Sequence, residues 1–392
     1  MATCASYRLI RPLLFWLPAE TSHQLTFILL RLLYRLPGAG ALTRAIYSRH
    51  PTSLPVSVMG LTFPNPVGLA AGLDKNAEHI RSLSDFGFGF IELGTVTPRP
   101  QPGNQKPRLF RLPRQSALIN RMGFNNVGIE RFILNLTRED SSCPVGVNIG
   151  KNRDTPMEQA ADDYLTALRA VYPHADYIAV NISSPNTTGL RDLQNEENLN
   201  DLLRRLKAEQ TTCAEKTGRY VPIALKIAPD LDDSQLAAIA RLVLEHKFNA
   251  VIATNTTITR PGLGSDPFAR QSGGLSGRPL KTLSTEIIRK LYGHLQGNVP
   301  IIGVGGIENA QDAWDKLIAG ADLIQIYTAL IYEGPCVVQA ITRGLAERVQ
   351  AAGKATLAEA LEQVRATHNQ RSPTNSPPPD DDVTVESSPG GL

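Results

Sequence analysis

Polar side chains recur where short apolar runs of the sequence end. The run "YIAVNIS" contains Asn181 and continues into Ser183 and Ser184, and two other runs end at Asn148 and Asn255. Each asparagine offers both a hydrogen-bond donor and an acceptor, which suits the amide or imide edge of a planar ligand. A single asparagine in such a place is more often a turn residue. Three of them at three strand ends together favour a binding site.

Two lysines accompany the amides. Lys226 lies inside the apolar run "IALKIAP", where an unpaired ammonium would be costly, so we expect it to meet an anion. Lys75 follows another run, and a solvated surface charge is the alternative interpretation for both. The seven histidines are scattered and none falls at a strand end, so no metal centre is predicted. Ser184 has no predicted histidine partner, which leaves a hydrolytic triad unsupported.

Glycines supply a second signal. The motifs "GVGGI" and "YT" end the last two apolar runs, and "SGGLSG" precedes them. In many barrels, backbone N–H groups at this place bind a phosphate. A phosphate-bearing cofactor, a lysine near a planar ring and the lack of a metal cluster together indicate flavin mononucleotide (FMN).

The elements that must position these groups are eight apolar runs, each followed by a segment of helical character. The runs are "NPVGLAAG", "GFIELGTV", "PVGVNIG", "YIAVNIS", "PIALKIAP", "AVIATNTT", "PIIGVGGI" and "LIQIYTAL". Near-continuous apolarity is typical of strands covered on both faces, hence of a parallel sheet. Eight strand–helix units predict an α/β fold of the TIM (β/α)8 barrel type, with an open doubly wound sheet as the alternative.

The ends of the chain differ from the middle. Residues 1–50 carry six arginines and one acid, Glu20, and a leucine-rich helical stripe runs from Leu25 to Leu36. We expect an amphipathic helical extension whose stripe faces the core, with Phe27 and Tyr34 adding apolar surface beyond it. It is either a cap on the main domain or a helix lying in an anionic membrane interface. Residues 51–350 are the predicted barrel, and 351–392 are a predicted disordered tail rich in Pro, Ser and Asp.

Two further features bound the function. The net charge of +3 gives no argument for a nucleic-acid partner. Residues 97–129 form a long, basic insertion between the second and third strands, at the face where barrels carry lids and binding loops.

The motifs resemble those of a known family, the class 2, quinone-dependent dihydroorotate dehydrogenases. They are "GLAAGLDKN", "GTVTPRPQPGNQKPRLFRL", "INRMGFNN", "NIGKN", "NISSPNTTGLRDLQ", "KIAPDL", "IATNTT", "GGLSGRPL", "IIGVGGI" and "QIYTAL", in order across residues 66–330. The resemblance implies an FMN-containing barrel that oxidises (S)-dihydroorotate to orotate and passes the electrons to a membrane quinone.

The resemblance also implies roles for individual residues. It makes Ser184 the catalytic base. Because a serine hydroxyl is a poor base at neutral pH, we expect a hydroxyl or a water to relay the proton outward, with Thr254 and Thr187 as candidates. The substrate would be held by Lys75, Asn120, Arg121, Met122, Gly123, Phe124, Asn181, Asn186, Asn255 and Thr256. FMN would be held by Ala71, Gly72, Leu73, Asp74, Lys75, Thr95, Asn148, Asn181, Lys226, Thr254, Gly277, Gly306, Tyr327 and Thr328. His23 and Arg111 would lie near the inner end of a quinone tunnel.

Two alternatives to this function stay open. One is a soluble-type FMN barrel that uses fumarate or NAD, although that branch carries Cys where this chain has Ser184. The other is a barrel that binds FMN or membrane without catalysis. For the quinone-dependent dehydrogenase we expect dihydroorotate and a quinone as partners. We also expect a peripheral position on the cytoplasmic side of a cell inner membrane, with a mitochondrial location as the alternative.

Overall fold

The computed structural model describes residues 5–48 and 54–371. Its strands are β1 (Val56–Val58), β2 (Leu61–Phe63), β3 (Val67–Leu69), β4 (Phe90–Val96), β5 (Leu109–Leu112), β6 (Ala117–Asn120), β7 (Val145–Ile149), β8 (Tyr177–Asn181), β9 (Ile223–Ile227), β10 (Ala250–Ala253), β11 (Gly274–Gly277), β12 (Ile301–Val304) and β13 (Leu323–Ile326). Its α-helices are α1 (Ala5–Trp16), α2 (Ala19–Leu33), α3 (Ala39–Tyr47), α4 (Ile80–Ser84), α5 (Ile129–Leu136), α6 (Ala160–Val171), α7 (Glu196–Thr217), α8 (Asp233–Glu245), α9 (Lys281–Leu295), α10 (Ala310–Ile318), α11 (Thr328–Glu333), α12 (Cys336–Ala351) and α13 (Leu357–Arg371).

Eight parallel strands close into a barrel in the order β3-β4-β7-β8-β9-β10-β12-β13, and β13 pairs with β3. These are the eight predicted runs, so the TIM barrel is confirmed and the open sheet is wrong. Most residues of these strands are fully buried, because helices cover the outer face and side chains fill the interior. The β1–β2 hairpin contributes Phe63, which packs against Phe90 at a ring-centroid distance of 5.1 Å.

A second, antiparallel sheet lies beside the strand ends. It has the order β11-β6-β5 and is built from the predicted insertion and the loop before α9. Asn120, the last residue of β6, pairs with Gly274 of β11. The insertion therefore does not form a free loop, and its sheet carries predicted binding residues to the catalytic face of the barrel.

The N-terminal helices pack on the barrel, but through the face opposite to the predicted one. Phe27 packs against the barrel core, and the Tyr34 hydroxyl donates to Asp85 Oδ2 at 3.0 Å. The stripe predicted to face the core is exposed, from Leu25 at 37% to Leu36 at 61%. That prediction was wrong because both faces of α2 are apolar, so periodicity did not identify the buried one.

The exposed apolar surface extends over all three N-terminal helices. Besides the α2 stripe, it includes Leu13 at 69%, Trp16 at 92% and Leu42 at 63%. None of the helices in the two described segments is both long enough and apolar enough to cross a membrane.

The C-terminal boundary of the barrel also differs from the expectation. The predicted disordered tail begins at residue 351, yet α13 spans Leu357–Arg371 and buries Leu357, Ala360 and Leu361. The start of the tail was placed too early because the short apolar side chains of this helix are diluted by polar ones. Residues 372–392, where the Pro/Ser/Asp-rich sequence lies, fall outside the described residues.

Candidate active site

A cavity of about 520 Å³ opens at the carboxyl ends of the barrel strands. It is lined by most of the predicted site residues: Ala71, Gly72, Leu73, Asp74, Lys75, Thr95, Asn120, Met122, Gly123, Phe124, Asn181, Ser184, Asn186, Lys226, Thr254, Asn255, Thr256, Gly277, Gly306, Tyr327 and Thr328, together with His23. The strands converge there, so residues far apart in the chain share one chamber.

Four predicted residues do not line this cavity, and one of them is the relay candidate Thr187. Arg121 donates to Gln271 Oε1 at 2.8 Å and to the Pro107 carbonyl, away from the chamber. Asn148 is fully buried behind Thr95, whose hydroxyl donates to Asn148 Oδ1 at 2.5 Å. Arg111 donates to carbonyl groups at the end of α1, including that of Leu14 at 3.1 Å.

The two serines after β8 have different surroundings. Ser183 is fully buried, and its hydroxyl donates to Asn181 Oδ1 at 3.2 Å and accepts from Asn255 Nδ2 at 3.0 Å. Ser184 faces the cavity, and its Oγ accepts from the Asn186 N–H at 3.2 Å. Only Ser184 therefore combines access to the chamber with a hydroxyl proton not committed to a neighbour among the described residues.

The two candidate relay hydroxyls also differ. Thr254 Oγ1 donates to the Asn255 carbonyl at 2.9 Å. Thr187 Oγ1 is buried and has no hydrogen-bond partner within the described residues. A buried hydroxyl without a partner is costly, which favours a water or ligand beside it. Of these two hydroxyls, that of Thr187 is therefore the one not committed to a neighbour among the described residues, and it lies outside the cavity lining.

The two lysines of the cavity lie in different electrostatic settings. Lys226 Nζ lies 3.2 Å from Glu92 Oε1, so the anion expected for this lysine is an internal carboxylate. Lys75 makes no hydrogen bond or ion pair with any residue in the described part of the chain, and burial lowers its pKa to about 8. An ammonium in that position is suited to an anionic group of a bound ligand.

Glu92, which contacts the cavity-lining residues Lys226 and Gln325, was not selected from the sequence. It lies in β4, within the run "GFIELGTV", and is fully buried. An acid inside a buried strand was the available signal, because such a group needs a partner in the same way as Lys226 does.

Glycines shape the chamber near the ends of β11 and β12. Gly306 has a φ of 70°, and a Cβ there would lie 2.5 Å from the Lys281 Cα. A Cβ on Gly277 would lie 2.3 Å from the Ser116 carbonyl oxygen. Both glycines line the cavity, and neither position has room for a side chain.

Residues of α2 form the outer part of the cavity. His23 Nε2 lies 2.9 Å from the Leu73 carbonyl oxygen, and the Phe27 ring stacks on His79 with centroids 4.2 Å apart. Burial lowers the pKa of both His23 and His79 to about 4, so both imidazoles are neutral near pH 7. This section of the wall is aromatic and uncharged, and the Arg31–Glu78 pair at 3.4 Å lies at its edge.

The ion pair between Glu20 and Arg108, which was also missed from the sequence, joins α2 to the insertion. Glu20 accepts two hydrogen bonds from Arg108, at 2.7 and 3.2 Å, and the Arg108 side chain is 7% exposed. Arg111 was selected from the sequence instead. The two arginines are only three residues apart in the sequence. In the structure Arg108 contacts Glu20 of α2, whereas Arg111 contacts carbonyl groups at the end of α1.

Comparison with known proteins identifies the family. The family model for dihydroorotate dehydrogenase matches residues 53–349. The chain belongs to the dihydroorotate dehydrogenase family. It is 56% identical over 349 residues to a protein of Nitrosomonas eutropha named dihydroorotate dehydrogenase (quinone), covering 89% of this chain and 100% of that protein. A protein of the same name from Thiobacillus denitrificans is 55% identical over 87% of this chain and 99% of its own.

Solved structures agree with this dihydroorotate dehydrogenase assignment. The structure of the Eimeria tenella dihydroorotate dehydrogenase in complex with ferulenol is 37% identical, with a TM-score of 0.78. The match covers 87% of this chain and 94% of that one. The resemblance found from the motifs is therefore confirmed. The Nitrosomonas eutropha and Thiobacillus denitrificans relatives carry the name dihydroorotate dehydrogenase (quinone).

Proposed function

We propose that the protein oxidises (S)-dihydroorotate to orotate with FMN as hydride acceptor and a membrane quinone as final electron acceptor, in pyrimidine synthesis. One observation carries the proposal: the Ser184 hydroxyl and the Lys75 ammonium, which has no ion-pair partner among the described residues, share one cavity with the amides of Asn181 and Asn255. A base, a cation for a carboxylate and amide groups for an imide edge are what this substrate requires.

The glycines and the lysine at the cavity wall fit the proposed FMN. Gly277 and Gly306 would hold its phosphate through the backbone, and Lys226 would contact the edge of the ring. When bound, FMN supplies the hydride-accepting centre. Lys226 carries positive charge into the site where the reduced ring gains negative charge, which is electrostatic stabilisation.

The protein's own residues would orient the substrate and move its proton. Lys75 would bind the carboxylate, and Asn120 with Asn186 would fix the ring; their side chains are joined by a hydrogen bond of 3.1 Å. Ser184 Oγ would take the C5 proton and pass its own proton toward Thr187. The surrounding burial excludes bulk water from the base.

We further propose a peripheral membrane position on the cytoplasmic side of an inner membrane. The exposed apolar residues of α1–α3, together with Arg8, Arg31 and Arg35, form the kind of surface that enters an anionic membrane interface. A quinone would pass between α2 and the barrel along Phe27, His23 and His79. Arg111, originally assigned to this route, would act indirectly by holding the end of α1.

A flavin assay tests the function. The purified protein should show a flavin spectrum that bleaches on adding dihydroorotate and recovers on adding a quinone. Lack of bleaching would reject a dihydroorotate dehydrogenase of any type. Recovery with fumarate or NAD⁺, but not with quinone, would assign the protein to the soluble type instead.

The base is tested by substitution. Ser184→Ala should slow bleaching by roughly a hundredfold or more, the range typical of a lost general base. Ser184→Cys should be partly active, with turnover that rises with pH as the thiol ionises. Ser183→Ala is the matched control, because its hydroxyl points into the Asn181–Asn255 hydrogen bonds. Equal rates for Ser184→Ala and the unchanged protein would move the base elsewhere.

A further inference from the structure

Glu92 lies one layer beneath the cavity. Its strand, β4, is buried along its whole length, and the Glu92 side chain has no exposed surface. Lys226 and Gln325 line the cavity and also contact Glu92. Because Glu92 is not among the lining residues, any effect on a bound ligand passes through its neighbours.

Four hydrogen-bond donors surround the Glu92 carboxylate. Oε1 accepts from Asn148 Nδ2 at 2.7 Å and from Lys226 Nζ at 3.2 Å. Oε2 accepts from Gln325 Nε2 at 2.6 Å and from the Tyr177 hydroxyl at 3.1 Å. A protonated carboxyl would point its own hydrogen at one of these four donors. The four hydrogen bonds therefore favour the ionised carboxylate. The pair with Lys226 is therefore formally neutral.

The carboxylate also sets the direction of the amides above it. Asn148 donates to Glu92, so its Oδ1 faces the chamber side and accepts from Asn181 Nδ2 at 3.1 Å. Asn181 Oδ1 in turn accepts from Asn255 Nδ2 at 3.3 Å. All three amides thus turn their N–H ends toward Glu92. Removing the carboxylate removes the group that makes this direction the favoured one.

We propose that Glu92 is a positioning residue that acts as the counter-charge of Lys226 and orders the Asn148–Asn181–Asn255 amides for a bound flavin. This rests on the proposed use of FMN. Since Glu92 already neutralises Lys226, the ammonium does not bind a negatively charged ring as strongly as a free cation would. The pair thereby limits how far the protein stabilises reduced flavin and leaves the electrons available to the next acceptor.

The test is the midpoint potential of the bound flavin in Glu92→Gln, measured by electrochemical reduction without substrate. The substitution keeps the shape and removes one negative charge. We expect the potential to become more positive, equivalent to roughly a tenfold or greater gain in affinity for reduced over oxidised flavin. The reason is that the charge gained on reduction then becomes the counter-charge of Lys226.

Tyr177→Phe is the matched control, since it removes one hydrogen bond to the same carboxylate and keeps the charge. We expect its flavin potential to shift much less than that of Glu92→Gln. Equal shifts would attribute the effect to disturbed packing, and an unchanged potential in Glu92→Gln would overturn the proposal. Neither outcome depends on dihydroorotate being the substrate, which the bleaching of the unchanged protein tests separately.

A second variant covers loss of flavin in the single substitution. Breaking one partner of a buried ion pair leaves an uncompensated charge, whereas replacing both is far less costly. If Glu92→Gln is purified without flavin, the double variant Glu92→Gln/Lys226→Gln should have a higher thermal midpoint than the single one. A lower midpoint in the double variant would show that the two charges do not compensate each other.

Discussion

At the scale of single residues, the two lysines of the cavity have different electrostatic roles. Lys226 has Glu92 as an internal partner, whereas Lys75 has no ion-pair partner in the described segments. A cation already neutralised is suited to modulating a bound ring, and one left without a partner is suited to capturing an anion. The proposed binding of the substrate carboxylate therefore depends on the protonation of Lys75.

This dependence predicts a pH effect on substrate binding. The pKa of Lys75 is lowered to about 8 by burial, so the ammonium is present below that value and is lost as the pH rises through it. The affinity for orotate should fall by roughly tenfold to a hundredfold across this range, the worth of a charged hydrogen bond. Titration calorimetry at a series of pH values measures it.

Lys75→Gln provides the control for this titration. It should bind orotate weakly and without the alkaline fall, because it has no proton to lose. The same fall in both proteins would assign the titration to another group.

Thr187 predicts an effect on rate rather than on binding. Its buried hydroxyl is unpartnered among the described residues, and a path through it would carry the Ser184 proton outward. Thr187→Val should slow flavin bleaching by dihydroorotate roughly tenfold or more while leaving orotate affinity close to unchanged. Stopped-flow absorbance and equilibrium titration separate the two quantities. Thr254→Val slowing bleaching more than Thr187→Val would reverse the assignment.

At the scale of elements, Arg191 joins the loops after β8 and β10. Its guanidinium donates to the Ser183 carbonyl at 3.2 Å and to the Thr256 carbonyl at 3.0 Å. Asp230 holds it from below, with an N–O distance of 2.9 Å. This contact sets the spacing between the loop of the proposed base and a wall of the proposed substrate site.

Arg191→Met should therefore lower the rate of flavin bleaching by roughly tenfold to a hundredfold with FMN content retained, because small displacements of a base are costly. Stopped-flow absorbance measures the rate, and the visible flavin spectrum measures the FMN content. Arg204→Met on α7, whose Asp201 partner pair is exposed, is the control and should leave the rate unchanged. An unaffected rate in Arg191→Met would mean that the loops keep their spacing without it.

The elements differ in how well the sequence predicted them. Continuous apolar runs predicted every barrel strand, because these strands are covered on both faces. Strand ends predicted the asparagines, Lys75 and Lys226, and the family resemblance supplied most of the other predicted cavity residues. Lys226 was recognised as a charge inside an apolar run and Glu92 was not, and their pairing exists only after the barrel closes. The orientation of α2 was mispredicted because its two apolar faces are equivalent in sequence and only contact with Asp85 and β5 distinguishes them.

At the scale of the whole molecule, one end combines the cavity mouth with most of the exposed large hydrophobic side chains of the described residues. Arg31, on α2, lines the cavity, while Leu32 and Leu36 of the same region are exposed. Surfaces of this kind mark protein or membrane contacts. If a quinone enters here from a bilayer, the exposed leucines must hold the cavity mouth at the membrane surface.

Leu32→Glu/Leu36→Glu tests that coupling. Two charges on this surface should abolish sedimentation with anionic phospholipid vesicles, since burying a carboxylate in the interface is costly. Reduction by dihydroorotate should stay intact, because the Glu92–Lys226 layer and Ser184 lie deeper in the barrel. Turnover with a long-chain quinone in vesicles should fall, while turnover with a short, water-soluble quinone should stay unchanged.

Leu134→Glu, which changes a similarly exposed leucine on α5, is the control and should change none of these quantities. Vesicle binding that survives the Leu32→Glu/Leu36→Glu substitutions would assign the exposed surface to a protein partner instead.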